Sequence, residues 1–416
     1  MQPLLRGRVL TEARAALAEL SARFLLLRPS AVRDVSLADG LSGVVLAHAA
    51  LDPVFPGAGH AARAEHALHR AIDRLGREHV DPGLHLGLAG LGWVAAHVMD
   101  PAEEAPIQDH LFAAIDGALT QVISRPPAMD RFDAVYGLAG IGVYALERLP
   151  SPSAKALLAL VVERLATTAQ PQAPGVAWRS DPAWISCDPR VARPRDQEWG
   201  LGVAHGTAGV IALLGRAAVA EVDDRTRQTA RTLVEQAVAW LLAQANPRGA
   251  PSAFPHHGNA PTAARGPTRI AWCSGDLGIA AALLVAARAT RTRAWQRAAI
   301  SIALRAAARP FARAGAVDAG LCHGAAGVAH VFHRLFRTTG DERFATAARR
   351  WFARALAMRT PGAGFAGFRA LDPDRRHRLG WRSPPGFLTG GAGVALALIA
   401  ATTATEPAWD RALMLS

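Results

Sequence analysis

Apolar residues in this chain fall into two alternating kinds of stretch. In the first, nearly every position is apolar, as in Val210-Ile211-Ala212-Leu213-Leu214 and Val394-Ala395-Leu396-Ala397-Leu398. In the second, charges recur at helical spacing with alanine and leucine between them; 61–77, 153–168, 226–244, 293–308 and 341–358 are of this kind. The second pattern predicts amphipathic helices, and a helix apolar on all sides belongs in an interior. No stretch reads as a convincing strand. The alternation therefore predicts a repeated unit of one inner and one outer helix.

A pair of glycines three residues apart opens the inner stretch of each unit. The pairs are Gly40/Gly43, Gly87/Gly90, Gly137/Gly140, Gly206/Gly209, Gly275/Gly278, Gly324/Gly327 and Gly390/Gly393. One such pair carries little information. Seven of them, about 50 to 70 residues apart and each starting an apolar helix, indicate a repeat fold. The expected fold class is all-α: a seven-repeat α/α toroid, seven inner helices ringed by seven outer ones, in a single domain over 1–416. The glycines would allow tight entry turns and close helix approach. The connections 170–200, 246–269 and 361–385 are long. Long loops inside a compact domain are usually functional, so these are expected to rim a cavity.

Composition narrows the function classes. The chain has 416 residues, 50% of them hydrophobic and 19% charged, which excludes disorder and allows a large core. Its formal net charge of +12 is almost wholly arginine. A GC-rich coding sequence explains that as well as attraction to an acidic partner does. The arginines are scattered along helices without interleaved aromatics, which argues against nucleic acid. Three cysteines, Cys187, Cys273 and Cys322, are too few for a disulfide framework. The first twenty residues carry charges through their apolar positions, unlike a secretory signal, and the longest uncharged run is glycine- and threonine-rich. No integral membrane segment is expected, and the reducing cytoplasm is the expected compartment.

The chemistry aligns on the repeat. With the first glycine of each pair as position zero, position −2 is Ala38, His85, Val135, Ala204, Cys273, Cys322 and Leu388. Position −1 is Asp39, Leu86, Tyr136, His205, Ser274, His323 and Thr389. Cys273 and Cys322 thus share a register in adjacent repeats, with His323 directly after the second. Two thiols and an imidazole leave one corner of a zinc tetrahedron open, which suits a catalytic rather than a structural ion. His205 lies in the repeat before Cys273, and Asp133 and Tyr136 one repeat earlier. Inner helices begin at this end, where partial positive charge and free N–H groups favour thiolate. Blander roles exist: His205 or Asp133 as helix caps, Arg269 as a surface residue. Cys187 has no register and reads as a small core hydrophobe.

On Trp272-Cys273-Ser274-Gly275, Cys322-His323-Gly324, Ala204-His205-Gly206 and Asp133-Ala134-Val135-Tyr136-Gly137, the sequence resembles the lanthipeptide cyclases, the LanC-like family. The resemblance spans essentially the whole chain. It implies an α/α toroid that binds Zn2+ through Cys273, Cys322 and His323. It also implies an acid/base histidine at His205, an active-site aspartate at Asp133 and an arginine at Arg269. Where the family often has tyrosine or histidine, this chain has Ser274. The implied reaction adds peptide cysteine thiols to dehydroalanine or dehydrobutyrine, forming thioether rings in a dehydrated precursor peptide. Implied partners are a dehydratase and a transporter of the same pathway, at a membrane-associated complex. Two other classes stay open: a different zinc–thiolate enzyme on a toroid, such as a prenyltransferase, and a non-catalytic peptide-binding scaffold. A glycosidase would need paired carboxylates, which the motif end scarcely offers.

Overall fold

The computed structural model describes residues 2–75, 77, 80–125, 129–180, 199–259, 266–373 and 378–416. Cys187 lies outside the described residues. The helices in chain order are α1 (Gly7–Leu26), α2 (Leu41–Leu51), α3 (His60–Leu75), α4 (Leu88–Val98), α5 (Pro101–Ser124), α6 (Leu138–Glu147) and α7 (Pro152–Thr168). They continue with α8 (Thr207–Ala217), α9 (Asp224–Ala243), α10 (Asp276–Ala289), α11 (Arg293–Ala307), α12 (Ala325–Thr339), α13 (Glu342–Ala357) and α14 (Gly391–Thr402).

Cα packing divides the chain into two compact units. The first takes in 1–80, 270–272 and 309–410. Its inner helices follow one another as α12, α14 and α2, backed by α13, α1 and α3. All twelve residues of α14 are buried, whereas α13 buries only one face, through Phe344, Ala348, Trp351, Phe352 and Ala355. Helix α1 serves as the outer partner of α14, so the N-terminal helix completes the seventh hairpin. A buried polar strut also ties α1, α2 and α3 together. Nδ1 of His48 lies 2.8 Å from Nδ1 of His60, whose Nε2 is 2.8 Å from the Ser21 hydroxyl. Burial lowers the His48 pKa to about 4, so this strut is neutral at pH 7.

The second unit takes in 81–269, 273–308 and 411–416. Four hairpins follow in order here, with inner helices α4, α6, α8 and α10 backed by α5, α7, α9 and α11. Arg411 forms an ion pair with Glu147 at 2.5 Å, and His97 reaches the same carboxylate at 3.1 Å. That pairing anchors the last residues of the chain to α6.

The glycine pairs have a physical explanation. The N–H just after the first glycine bonds the carbonyl six residues before that glycine: Leu41 to Asp34, Leu88 to Asp81, Leu138 to Arg131, Ala325 to Asp318 and Gly391 to Pro384, all at 2.7–3.0 Å. This folds each entry turn tightly under its helix. A Cβ on Gly327 would lie 1.8 Å from the Leu321 carbonyl oxygen, and one on Gly324 2.2 Å from the Gly320 nitrogen. The crowding therefore comes mainly from each turn's own backbone. Close helix approach is a feature of other glycines, such as Gly215 against Ala286.

The structure differs from the sequence reading in the long connections. Three two-stranded antiparallel pairs occur there: β1 (Gln170–Gln172) with β2 (Gly175–Ala177), β3 (Trp199–Gly200) with β4 (His257–Gly258), and β5 (Ala370–Pro373) with β6 (Leu379–Arg382). At two to four residues each, they are too short to show an alternation of apolar and polar positions. No described helix is long and apolar enough to cross a membrane.

Candidate metal centre

The aligned positions before each glycine are linked by backbone hydrogen bonds from one repeat to the next. In the second unit, His85 N–H donates to the Val135 carbonyl, Ala134 N–H to Ala204, and Ala204 N–H to Cys273, at 3.1–3.3 Å. In the first unit, Cys322 N–H donates to the Leu388 carbonyl at 2.8 Å, and Leu388 N–H to Ala38 at 3.1 Å. These bonds run between residues of the −2 register, save for Ala134 at −3. Both cysteines are thus held by their main chain in equivalent places, and the register read from the sequence is a structural one.

Cys273, Cys322 and His323 form a group that could bind a metal ion: their ligand atoms all lie within 4.8 Å of one another. Tetrahedral ligands about 2.0–2.3 Å from a single zinc lie about 3.3–3.8 Å apart, so a group gathered within 4.8 Å is compatible with one ion. All three residues are partly exposed, and neither cysteine is in a disulfide. The Ser274 hydroxyl is 3.8 Å from the Cys273 sulfur. Two thiolates and a neutral imidazole are the donors zinc prefers over magnesium or calcium.

The carboxylate of Asp318 was missed by sequence reasoning. It is 2% exposed, and its Oδ2 lies 4.0 Å from Nε2 of His323. It also accepts the Gly320 N–H on Oδ1 at 3.0 Å and the Leu371 N–H on Oδ2 at 3.1 Å. A buried carboxylate beside a ligating histidine commonly orients its ring. Aspartate recurs at position −6 in Asp34, Asp81 and Asp318, a signal that extending the register four places would have exposed.

Asp133 and His205 are neighbours. Nδ1 of His205 is buried without a hydrogen bond and lies 3.6 Å from Oδ1 of Asp133. That oxygen already accepts the N–H groups of Val135 and Tyr136 at 2.7 and 2.8 Å, so Asp133 does cap its turn as well as face the histidine. Tyr136 stacks on the imidazole with centroids 5.5 Å apart. His85, in the −2 register, is fully buried. Burial first, and then the charge of His205, push its pKa down to about 3, so it stays neutral beside that pair. Arg269 is half-buried. Its side chain helps hold His256, which is exposed at its surface, below the usual histidine range, after the loss of hydration to the surrounding protein.

One expectation about the helix starts needs correction. In α2, α4, α6, α12 and α14 the first N–H group is not free, because an entry-turn carbonyl takes it. What remains for a thiolate there is the aligned peptide dipoles of α10 and α12, together with any bound cation.

The comparisons with known proteins agree with this picture. No curated protein matches the sequence. Among solved structures, one titled "Nisin cyclase" superposes with a TM-score of 0.71 at 17% identity, covering 97% of this chain and 96% of that one. The shared fold is the α/α toroid expected from the glycine array. The family model described as "Lanthionine synthetase C-like protein" matches residues 31–414. The chain therefore belongs to the lanthionine synthetase C-like family.

Proposed function

We propose that this protein is a zinc-dependent lanthipeptide cyclase. The observation that carries the reading is the convergence of Cys273, Cys322 and His323 within 4.8 Å. Family membership and the cyclase-like fold support it. The three side chains would hold Zn2+, which would supply activation of a peptide thiol. When bound, the ion lowers the thiol's pKa and so yields a thiolate at neutral pH.

The reaction is an addition. Sulfur bonds to the β-carbon of dehydroalanine or dehydrobutyrine, and the double-bond pair moves to the α-carbon and its carbonyl. One proton must then reach the α-carbon, replacing the one the thiol lost. His205 delivers it, positioned by Tyr136 beneath its ring and by Asp133 beside Nδ1. Arg269 counters the charge that builds on the carbonyl oxygen. The substrate is a dehydrated precursor peptide. We place the work in the cytoplasm, beside a dehydratase and a transporter of the same pathway.

The test is metal analysis coupled to a thiol-alkylation assay on a dehydrated precursor peptide. One zinc per chain is expected, with ring closure abolished on its removal. Ring closure that survives complete zinc loss would remove the mechanism, and parental rates in His205→Ala would remove its role as the acid.

A further inference from the structure

The first unit carries a cleft that the ring-closing chemistry does not use. It has a volume of about 110 Å³ and is lined by Val317, Asp318, Ala319, Met358, Phe368, Arg369 and Trp381. Val317 and Trp381 are 47% and 53% exposed, two of only five large hydrophobic residues so exposed among the described ones. Leaving an indole half in water is costly unless something covers it. Trp381 is also held in place: the Arg369 guanidinium, just before β5, lies 5.1 Å over its ring, and the β5–β6 pair that bears Trp381 is pinned by the Leu371 N–H on Asp318.

Asp318 links this cleft to the metal centre. One carboxylate forms part of the cleft wall, bonds the hairpin and faces Nε2 of His323 at 4.0 Å. Through this shared carboxylate, the cleft lies beside the histidine of the metal group, where a peptide held by its cysteine has its neighbouring residues. The apolar side chains of Val317, Ala319, Met358, Phe368 and Trp381 share the walls with the charged groups of Asp318 and Arg369. Cavities of about 150 Å³ accept benzene, so this smaller one suits a branched aliphatic side chain better than an aromatic one.

We infer that the cleft between Val317 and Trp381 receives a leucine-like side chain of the substrate peptide, from a residue flanking the ring-closing cysteine. The inference rests on the cyclase reading. It makes Trp381 and Val317 specificity residues, remote from the reacting atoms.

A binding experiment on the zinc-loaded full chain tests this. The probes are fluorescein-labelled peptides Ala-Gly-Gly-Cys-Leu and Ala-Gly-Gly-Cys-Ser, which cannot cyclise, and their counterparts with alanine for cysteine. Fluorescence anisotropy should give about tenfold tighter binding for the leucine peptide. Trp381→Ser and Val317→Ser should erase that preference while leaving the serine peptide's affinity unchanged; both sites are exposed, so folding should survive. Equal affinities in the parent protein would overturn the proposal. So would a Trp381→Ser protein that keeps the preference but changes its oligomeric state, which would mark the cleft as a contact between copies. If cysteine and alanine peptides bind alike, the cyclase reading fails and the cleft's assignment falls with it. A serine-insensitive preference with cysteine dependence intact would sink the cleft alone.

Discussion

Two entry turns in the first unit have nearly the same backbone and opposite chemistry. In the repeat-one turn, Asp34 accepts the Ser36 N–H on its side chain at 2.7 Å and the Leu41 N–H on its carbonyl at 2.8 Å. In the repeat-six turn, Asp318 accepts the Gly320 N–H at 3.0 Å and the Ala325 N–H at 2.8 Å. Yet the first turn ends Ala38-Asp39-Gly40 and the second Cys322-His323-Gly324. The turn is thus a platform whose geometry does not depend on what it carries. Positions −2 and −1 can be exchanged between repeats without disturbing how the helix starts.

The sharpest way to break this comparison is to give repeat six the residues of repeat one. The double variant Cys322→Ala/His323→Asp should fold, with unchanged helical circular dichroism, and should bind no zinc by elemental analysis. Ring closure should drop by about a thousandfold or more, since the loss removes thiol activation entirely. Retained stoichiometric zinc would mean that these residues are not the ligands.

The glycines come next. A Cβ on Gly40 would meet the Asp34 carbonyl oxygen at 2.4 Å, and one on Gly324 the Gly320 nitrogen at 2.2 Å and Asp318 Oδ1 at 2.4 Å. Backbone atoms cannot give way as a flexible side chain would. Gly40→Ala and Gly324→Ala should therefore each cost about 3 kcal/mol, read from chemical denaturation. The platform idea requires the two costs to be similar. If Gly324→Ala proves harmless, the turn is less rigid than its hydrogen bonds imply.

These turns also show what the sequence discloses. The glycine pairs were legible because one steric demand recurs seven times, and the register of Cys273 with Cys322 followed from it. The amphipathic outer helices were legible because α3, α7, α9, α11 and α13 each face water on one side. Helix α1 as outer partner of α14 was not, because that pairing joins the two ends of the chain. Asp318 was passed over because its effect on His323 acts through space, while in sequence it looks like any turn aspartate. The β5–β6 pair was hidden by its shortness.

Asp34→Ala and Asp318→Ala separate the platform from the site. Each removes a carboxylate that caps its own turn and should cost about 1–2 kcal/mol of stability. Only Asp318→Ala should also weaken zinc, by about 10- to 100-fold in a chelator competition, because of the two only Asp318 faces His323 of the candidate metal group. Equal zinc affinity in the two variants would make Asp318 purely a turn residue.

The smallest effect concerns Asp39, which occupies the place that His323 holds in repeat six. Its carboxylate keeps water contact, but the surrounding protein strips part of its hydration, and Asp372 and then Asp34 add repulsion. Together these raise its pKa to about 6. An acid whose folded pKa lies above its unfolded value favours the fold fully below the unfolded value, near 4, and that contribution is lost as pH rises through 6. Asp39→Asn removes the titration, so the variant should gain on the parent between about pH 4 and 7 and hold a constant advantage above that. Because the group is exposed, solvent screening should keep the gain under about 1 kcal/mol. Paired denaturation curves at pH 5 and pH 8 measure it. An advantage that is equal at both values would show that Asp39 titrates like an ordinary surface carboxylate, and that position −1 is crowded in repeat six but open to water in repeat one.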